Sequence, residues 1–329
     1  MTGGDSDIRV SHLSKAYADF ADREAGPRSS FYAEICHYVA NDTALLVKLV
    51  ELPLEKQQPN LLLAVAKYLF GTARDWREFR ERVETHWETM RVVIMARRTQ
   101  TNEPARCATL LPLLARLPQP LALLEVGASA GLCLLPDKYA YDYGGRRVGP
   151  TNGEAGAPLF HCAVNDATPV PEKNIEVAWR AGLDLNPLDV CADGDVRWLH
   201  ALVWPGEGER DRLLDEALTV ARRDPPRVVK GDLRYDLAAL AAEAPKDATL
   251  VVFHTAVLAY VREAADRKAF AETVKQLGAQ WVSNESANLS HVPDLMLRPW
   301  ERFLLTLNSV PQAYTDPHGA NMDWLAEPA

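Results

Sequence analysis

Cysteine is scarce in this 329-residue chain: Cys36, Cys107, Cys133, Cys162 and Cys191 are odd in number, scattered, and form no C-x-x-C pair. That argues against a disulfide framework or a structural zinc site, and the thiols are expected to be buried and reduced. The histidines fall in no H-E-x-x-H or similar ligand spacing, so no metal is predicted. No apolar run reaches the roughly 18 residues of a membrane span. The start, MTGGDSDIRV, lacks the basic and apolar regions of an export signal, so a cytoplasmic location is expected. Basic charge is short as well. Lys and Arg total 36 against 45 Asp and Glu, a net charge of -9. Broad attraction to nucleic acid or to an anionic membrane is therefore not expected, which leaves a small-molecule partner. A strict dinucleotide fingerprint, G-x-G-x-x-G, is also missing at the chain's central glycine turn.

What is present is organised around Leu121–Leu135, LALLEVGASAGLCLL. An apolar run ends in an acid, a small-residue turn follows, and a second apolar run resumes, which predicts strand, tight turn and helix. Gly127 and Gly131 fall where the reversal needs positive φ or close backbone approach, while Ala128, Ser129 and Ala130 keep bulk away from the turn. The first amides of the predicted helix would face a ligand at the positive end of its dipole, with Glu125 as a nearby acceptor. Three readings fit these letters. The turn is purely structural, or it is a nucleophile elbow, since Gly127 to Gly131 spell G-x-S-x-G, or it cradles a nucleoside cofactor.

Residues 10 to 115 read as helical. Phe31, Ile35 and Val39, then Leu61, Leu62, Val65 and Leu69, then Trp76, Phe79, Val83, Trp87 and Met90 recur at helical spacing. Beyond the central turn, Tyr139 to Gly145 predicts a hairpin, and 149–171, rich in Gly, Pro, Asn and Thr, reads as a long excursion. Strands over 177–184, 227–233, 249–254 and 280–285 alternate with helices over 209–222, to 244, and 262–277. The tail adds an edge hairpin. The pattern predicts an all-α N-terminal domain, 1–117, and an α/β domain, 118–329, whose doubly wound, mainly parallel sheet binds its ligand at the strands' carboxyl ends.

Glu125, Asp184, Asp232 and His254 each end a predicted strand and are expected to converge on one rim. An esterase elbow would pair Ser129 with Asp232 and His254, or with Glu285 and His318. The helical lead-in, however, contains no HGGG-like oxyanion segment. Upstream, Gln100, Asn102, Glu103 and Arg106 lead toward the turn. Arg106 has the planar fork to clamp a carboxylate, and its plain alternative is an ion pair with Glu103. Asp184 has a local alternative too, as a turn cap.

Together LLEVGASAGL, YAYDYGG, RAGLDLNPLDV, WLHALVWP, DPPRVVKGDL, VVFHTAVLAY and QTNEPARC resemble a bacterial domain-of-unknown-function family, number 2332, which is grouped by similarity with class I S-adenosylmethionine-dependent methyltransferases. The resemblance implies a Rossmann-like methyltransferase fold and S-adenosylmethionine as cofactor. Glu125, Gly127, Ala128, Ser129 and Gly131 match the first motif, with Ser129 in place of a glycine. Asp184 with Leu185 resembles the ribose-binding acid, and Asp232 with Leu233 the adenine-side acid. The implied function is methyl transfer to a small-molecule acceptor; the alternatives are the esterase using Ser129 and a cofactor-binding protein without turnover. His254 is the first candidate base, ahead of Glu103 and Glu285. Asn102, Arg106, Tyr260 and Trp204 are the candidate acceptor-binding residues.

Overall fold

The structure, a computed structural model, describes residues 3–100, 102–150, 156–289 and 302–325. Residues 151–155, part of the expected excursion, lie outside the described residues. The chain divides into two compact units, one of residues 1–101 with 193–212, the other of 102–192 with 213–329.

The helical unit is built as its periodicity predicts. Ser29, Asp42 and Asp75 each accept a hydrogen bond from an amide three residues on, starting the helices Ser30–Asn41, Thr43–Val50 and Trp76–Ala96. The last of these buries Phe79, Val83, Trp87, Met90 and Ile94 along one stripe. The stretch from Trp198 to the helix at Glu209 reads in sequence as a loop, but Asp193–Leu202 is a helix, and it belongs to this unit. Arg97 pairs with Asp195 at 2.5 Å, Trp198 Nε1 donates to the Arg98 carbonyl, and Lys67 donates to the carbonyls of His200 and Val203. No local pattern announces contacts that span a hundred residues. Among the described residues no helix is long and apolar enough to cross a membrane.

The second unit holds a nine-stranded sheet. Its strands are β1 (Leu121–Val126), β5 (Ala163–Val164), β6 (Val177–Asp184), β7 (Val228–Lys230), β8 (Thr249–Thr255), β9 (Gln280–Ser286), β10 (Phe303–Leu307), β11 (Val310–Thr315) and β12 (Asn321–Trp324), in the order β5-β12-β11-β10-β9-β8-β1-β6-β7. A smaller sheet joins β2 (Ala140–Tyr143), β3 (Arg146–Val148) and β4 (Leu159–His161), and β2 with β3 is the hairpin expected at Tyr139 to Gly145. Strands β7, β6, β1, β8 and β9 run parallel. β1 is central because LALLEV is buried along its whole length, as a strand with neighbours on both sides and cover on both faces must be. The tail contributes three antiparallel strands, not a lone hairpin, and β11 again runs in the direction of β9.

From β1 the chain moves outward to β6 and β7, then returns to β8 on the other side. The order of parallel strands therefore reverses between β1 and β8, the point at whose carboxyl ends open sheets of this kind bind ligands. Side-chain alternation divides what meets there. Leu124, Val126, Ala181, Leu183 and Val252 face Leu237, Leu240, Phe270 and Val274 in one core cluster. By period two, Glu125, Asp184 and Thr255 face the opposite side, while His254 shares the face of Val252. The helix Cys107–Leu114, assigned by its apolar pattern to the lead-in, folds with the sheet unit and is buried throughout.

Candidate functional site

The turn after β1 is tight. Gly127, Ser129 and Gly131 all have positive φ, 71°, 53° and 75°, and Ser129 holds this conformation without being glycine. A Cβ on Gly127 would lie 2.5 Å from Val257 Cγ2, and one on Gly131 2.8 Å from Pro226 Cγ, so both glycines are required by close approach as well as by φ. Ala256, in the loop after β8, is a second non-glycine residue at positive φ, 58°. Two strained residues thus follow the two strands between which the strand order reverses.

No α-helix follows the turn. Leu132–Leu134 and Pro136–Lys138 are single 3₁₀ turns, which corrects the expected helix. Gly131 in the left-handed conformation and Pro136 prevent the run from propagating. The amides expected to face a ligand are satisfied within the protein. Gly127 and Ala128 donate to the Leu183 carbonyl, Ser129 to Asp184 Oδ2 at 2.8 Å, Gly131 to the Ala128 carbonyl, and Leu132 to Asn102 Oδ1 at 2.9 Å. Asp184 also accepts from the Asn186 amide at 2.7 Å. Its carboxylate therefore braces the turn. Asp184→Ala is expected to cost stability as well as affinity, roughly 1 to 3 kcal/mol for two stranded amides, read as a lowered urea midpoint. An unchanged midpoint would mean the amides find other acceptors.

Glu125 is 2% exposed, and its Oε2 is buried without a hydrogen-bond partner among the described residues. Burial pushes this carboxyl well above the usual range, Cys133 and Asp184 add to the shift, and Arg106 opposes it. Arg106 is buried too. Nε donates to the Pro317 carbonyl at 2.7 Å, and Nη1 to the carbonyl and Oγ1 of Thr255, both at 3.2 Å. The anticipated Arg106–Glu103 ion pair does not form. Glu103 Oε2 instead meets His318 Nδ1 at 3.3 Å, and the Glu103 carbonyl accepts from the Cys133 thiol. Because β11 runs with β9, the turn that carries His318 lies at the same carboxyl rim as Thr255. His318, which meets Glu103 across 215 positions, has no role in the cofactor reading of the sequence; its Asp316-Pro-His-Gly turn is the one local signal there.

His254 is elsewhere. It is wholly buried on the opposite face, edge-on to Phe270 at 5.6 Å. Trp281 Nε1 can only donate, so His254 Nε2 accepts from it at 3.0 Å, and His254 Nδ1–H donates to Glu285 Oε1 at 2.7 Å. Glu285 Oε1 further accepts from the amides of Val257 and Leu258. Both ring nitrogens are engaged, and the pair supports the loop that packs on Gly127. Neither esterase pairing is made: Glu285 holds His254, and Asp232 holds Arg234, accepting from its amide at 3.0 Å and from its guanidinium at 2.9 and 2.6 Å. That arginine keeps the Asp232 carboxyl below its usual range. Leu233 is partly buried against the core cluster, whereas Leu185 and Tyr260 are exposed. Trp204 is buried in the helical unit, with Phe20 and Tyr32 at 5.5 and 6.1 Å and the Arg28 guanidinium over its ring. Of the five cysteines, four are buried and Cys191 is exposed.

Glu125, Ser129, Asp184, Asn102, Glu103, Arg106 and Thr255 thus converge from distant parts of the chain. They define a mixed α/β unit whose large, mostly parallel sheet carries a crowded glycine turn and a buried carboxyl where the strand order reverses. The chain belongs to the family described as an uncharacterized protein conserved in bacteria, DUF2332, whose model matches residues 14–324. Comparison with curated proteins and with solved structures finds no significant match.

Proposed function

We propose that the crevice between β1 and β8 binds S-adenosylmethionine and that the protein transfers its methyl group to a small-molecule acceptor. In chain order the five parallel strands lie 3-2-1-4-5, the arrangement of nucleoside-binding Rossmann sheets. The observation that carries the choice of cofactor is the pairing of spent amides with a partnerless acid. A dinucleotide's pyrophosphate needs free turn amides and no carboxyl nearby. Here five turn amides already have acceptors, and Glu125 Oε2 has no donor. A nucleoside without phosphate and with a positive charge suits both facts, and that describes a sulfonium donor.

S-adenosylmethionine supplies an electrophilic methyl group when bound. The chain's part is alignment and exclusion of water. A positioned proton acceptor is also needed when the nucleophile carries a proton. With His254 engaged on the other face, that role falls to Glu103 with His318, which is partly exposed at the rim.

Calorimetric titration with S-adenosylmethionine, S-adenosylhomocysteine and NAD tests the reading. The first two should bind in a roughly micromolar range and NAD should not. Binding of NAD alone would end the methyltransferase proposal.

A further inference from the structure

This inference rests on the cofactor reading and concerns the end of the ligand which that reading leaves undefined. Two side chains with unspent polar atoms lie toward one face of the sheet, Glu125 on β1 and Arg106 reaching in from the turn Pro104–Arg106 to Thr255 at the end of the neighbouring β8. Arg106 is 6% exposed, and all three of its acceptors are neutral oxygens. Among the described residues its guanidinium has no carboxylate at ion-pair distance, and Nη2 donates no hydrogen bond. A buried cation without a counter-ion is costly, and a planar fork with one tine unspent is shaped for a carboxylate. Glu125 presents the complement, a buried carboxyl whose Oε2 meets no donor and whose ionised form Arg106 favours.

We infer that Arg106 and Glu125 together recognise a zwitterionic α-amino-acid group, Arg106 taking its carboxylate through Nη2 and Glu125 its ammonium. Each group alone would admit many ligands. A simple carboxylic acid leaves Glu125 without a donor, a simple amine leaves Arg106 without a counter-ion, and a phosphate brings Glu125 no ammonium. Only a ligand that carries both charges a few bonds apart satisfies both side chains. In the cofactor reading this is the methionine end of the donor, opposite its adenosine.

Two nucleosides isolate the claim. S-adenosylhomocysteine carries the amino-acid end; 5′-methylthioadenosine keeps the adenosine and the thioether but lacks it. By calorimetry on the full chain, the wild type should bind the first about 100-fold tighter than the second, the scale of two charge-assisted contacts. Arg106→Gln and Glu125→Gln should each bring that ratio down at least about tenfold by weakening S-adenosylhomocysteine alone. Unchanged affinity for 5′-methylthioadenosine then shows that the nucleoside pocket is intact. Arg106 also ties Pro317 to Thr255, so Glu125→Gln, whose Oε2 has no hydrogen bond to lose, keeps the test decisive if the arginine variant fails to fold. Equal affinity of the wild type for the two nucleosides, or an unchanged ratio in Glu125→Gln, would overturn the inference and leave the cofactor reading standing. Binding of neither nucleoside would overturn both.

Discussion

Gly319→Ala is expected to destabilise the sheet unit by roughly 3 kcal/mol or more, from two costs that add. Gly319 has φ +85°, where an alanine is strained, and a Cβ there would sit 2.1 Å from the carbonyl oxygen of Ala105. That neighbour is backbone and cannot swing aside. It belongs to the segment from Asn102 to Arg106, which is anchored by Asn102 to Leu132 and by Arg106 to Thr255. Relief therefore requires the turn between β11 and β12 to lift from this segment, which would break the Arg106 bond to Pro317 and the contact between Glu103 and His318. Gly144→Ala is the matched control. Its φ is +69°, but nothing lies within 4 Å of the added carbon, so only the conformational cost of about 1 kcal/mol applies. Thermal unfolding of both variants reads the difference. If Gly319→Ala melts within a degree of Gly144→Ala, the close contact at Ala105 is not maintained in solution.

Glu125→Gln should change stability in the other direction. The folded protein holds the Glu125 carboxyl well above its ordinary value of 4.5, chiefly by burial. Folding therefore takes up a proton once the unfolded chain has lost it. Stability from this group is fully present below pH 4.5 and declines as pH rises toward the folded-state value. Glutamine keeps the shape and does not titrate. The variant should thus match the wild type near pH 4 and exceed it increasingly toward pH 8, by roughly 1 to 2 kcal/mol, the scale of a single stabilising change. Denaturant midpoints across that range measure it, and a difference that is constant with pH would contradict the assignment. Gain in stability joined to loss of S-adenosylhomocysteine affinity in one variant is the signature of a residue kept for binding at the fold's expense.

Much of this protein was legible before any coordinates. The periods of 3.6 and 2, the glycines at 127 and 131, and the acids near the ends of β1 and β6 follow from local chemistry, which acts between residues a few positions apart. So the helical lead-in, the central buried strand, the mostly parallel sheet and the family membership could all be read from residue order. The expected helix after Gly131 failed for a reason that is local but weak in the letters: a left-handed residue and a proline leave too little chain between them to propagate a helix.

What only the tertiary structure decided is which groups meet. His254 seemed to belong with Glu125 because both end strands. A shift of one residue along a strand reverses the face, however, and Glu125 pairs with Phe253 of β8, so His254 falls on the other face. Register between neighbouring strands set that parity, and no single strand's sequence contains it. The same holds for Glu103 with His318, for Arg106 with Thr255, and for residues 193–212, which join the helical unit from within the second half of the chain. These contacts join residues tens to hundreds of positions apart, a range over which sequence periodicity carries no information and packing alone assigns partners.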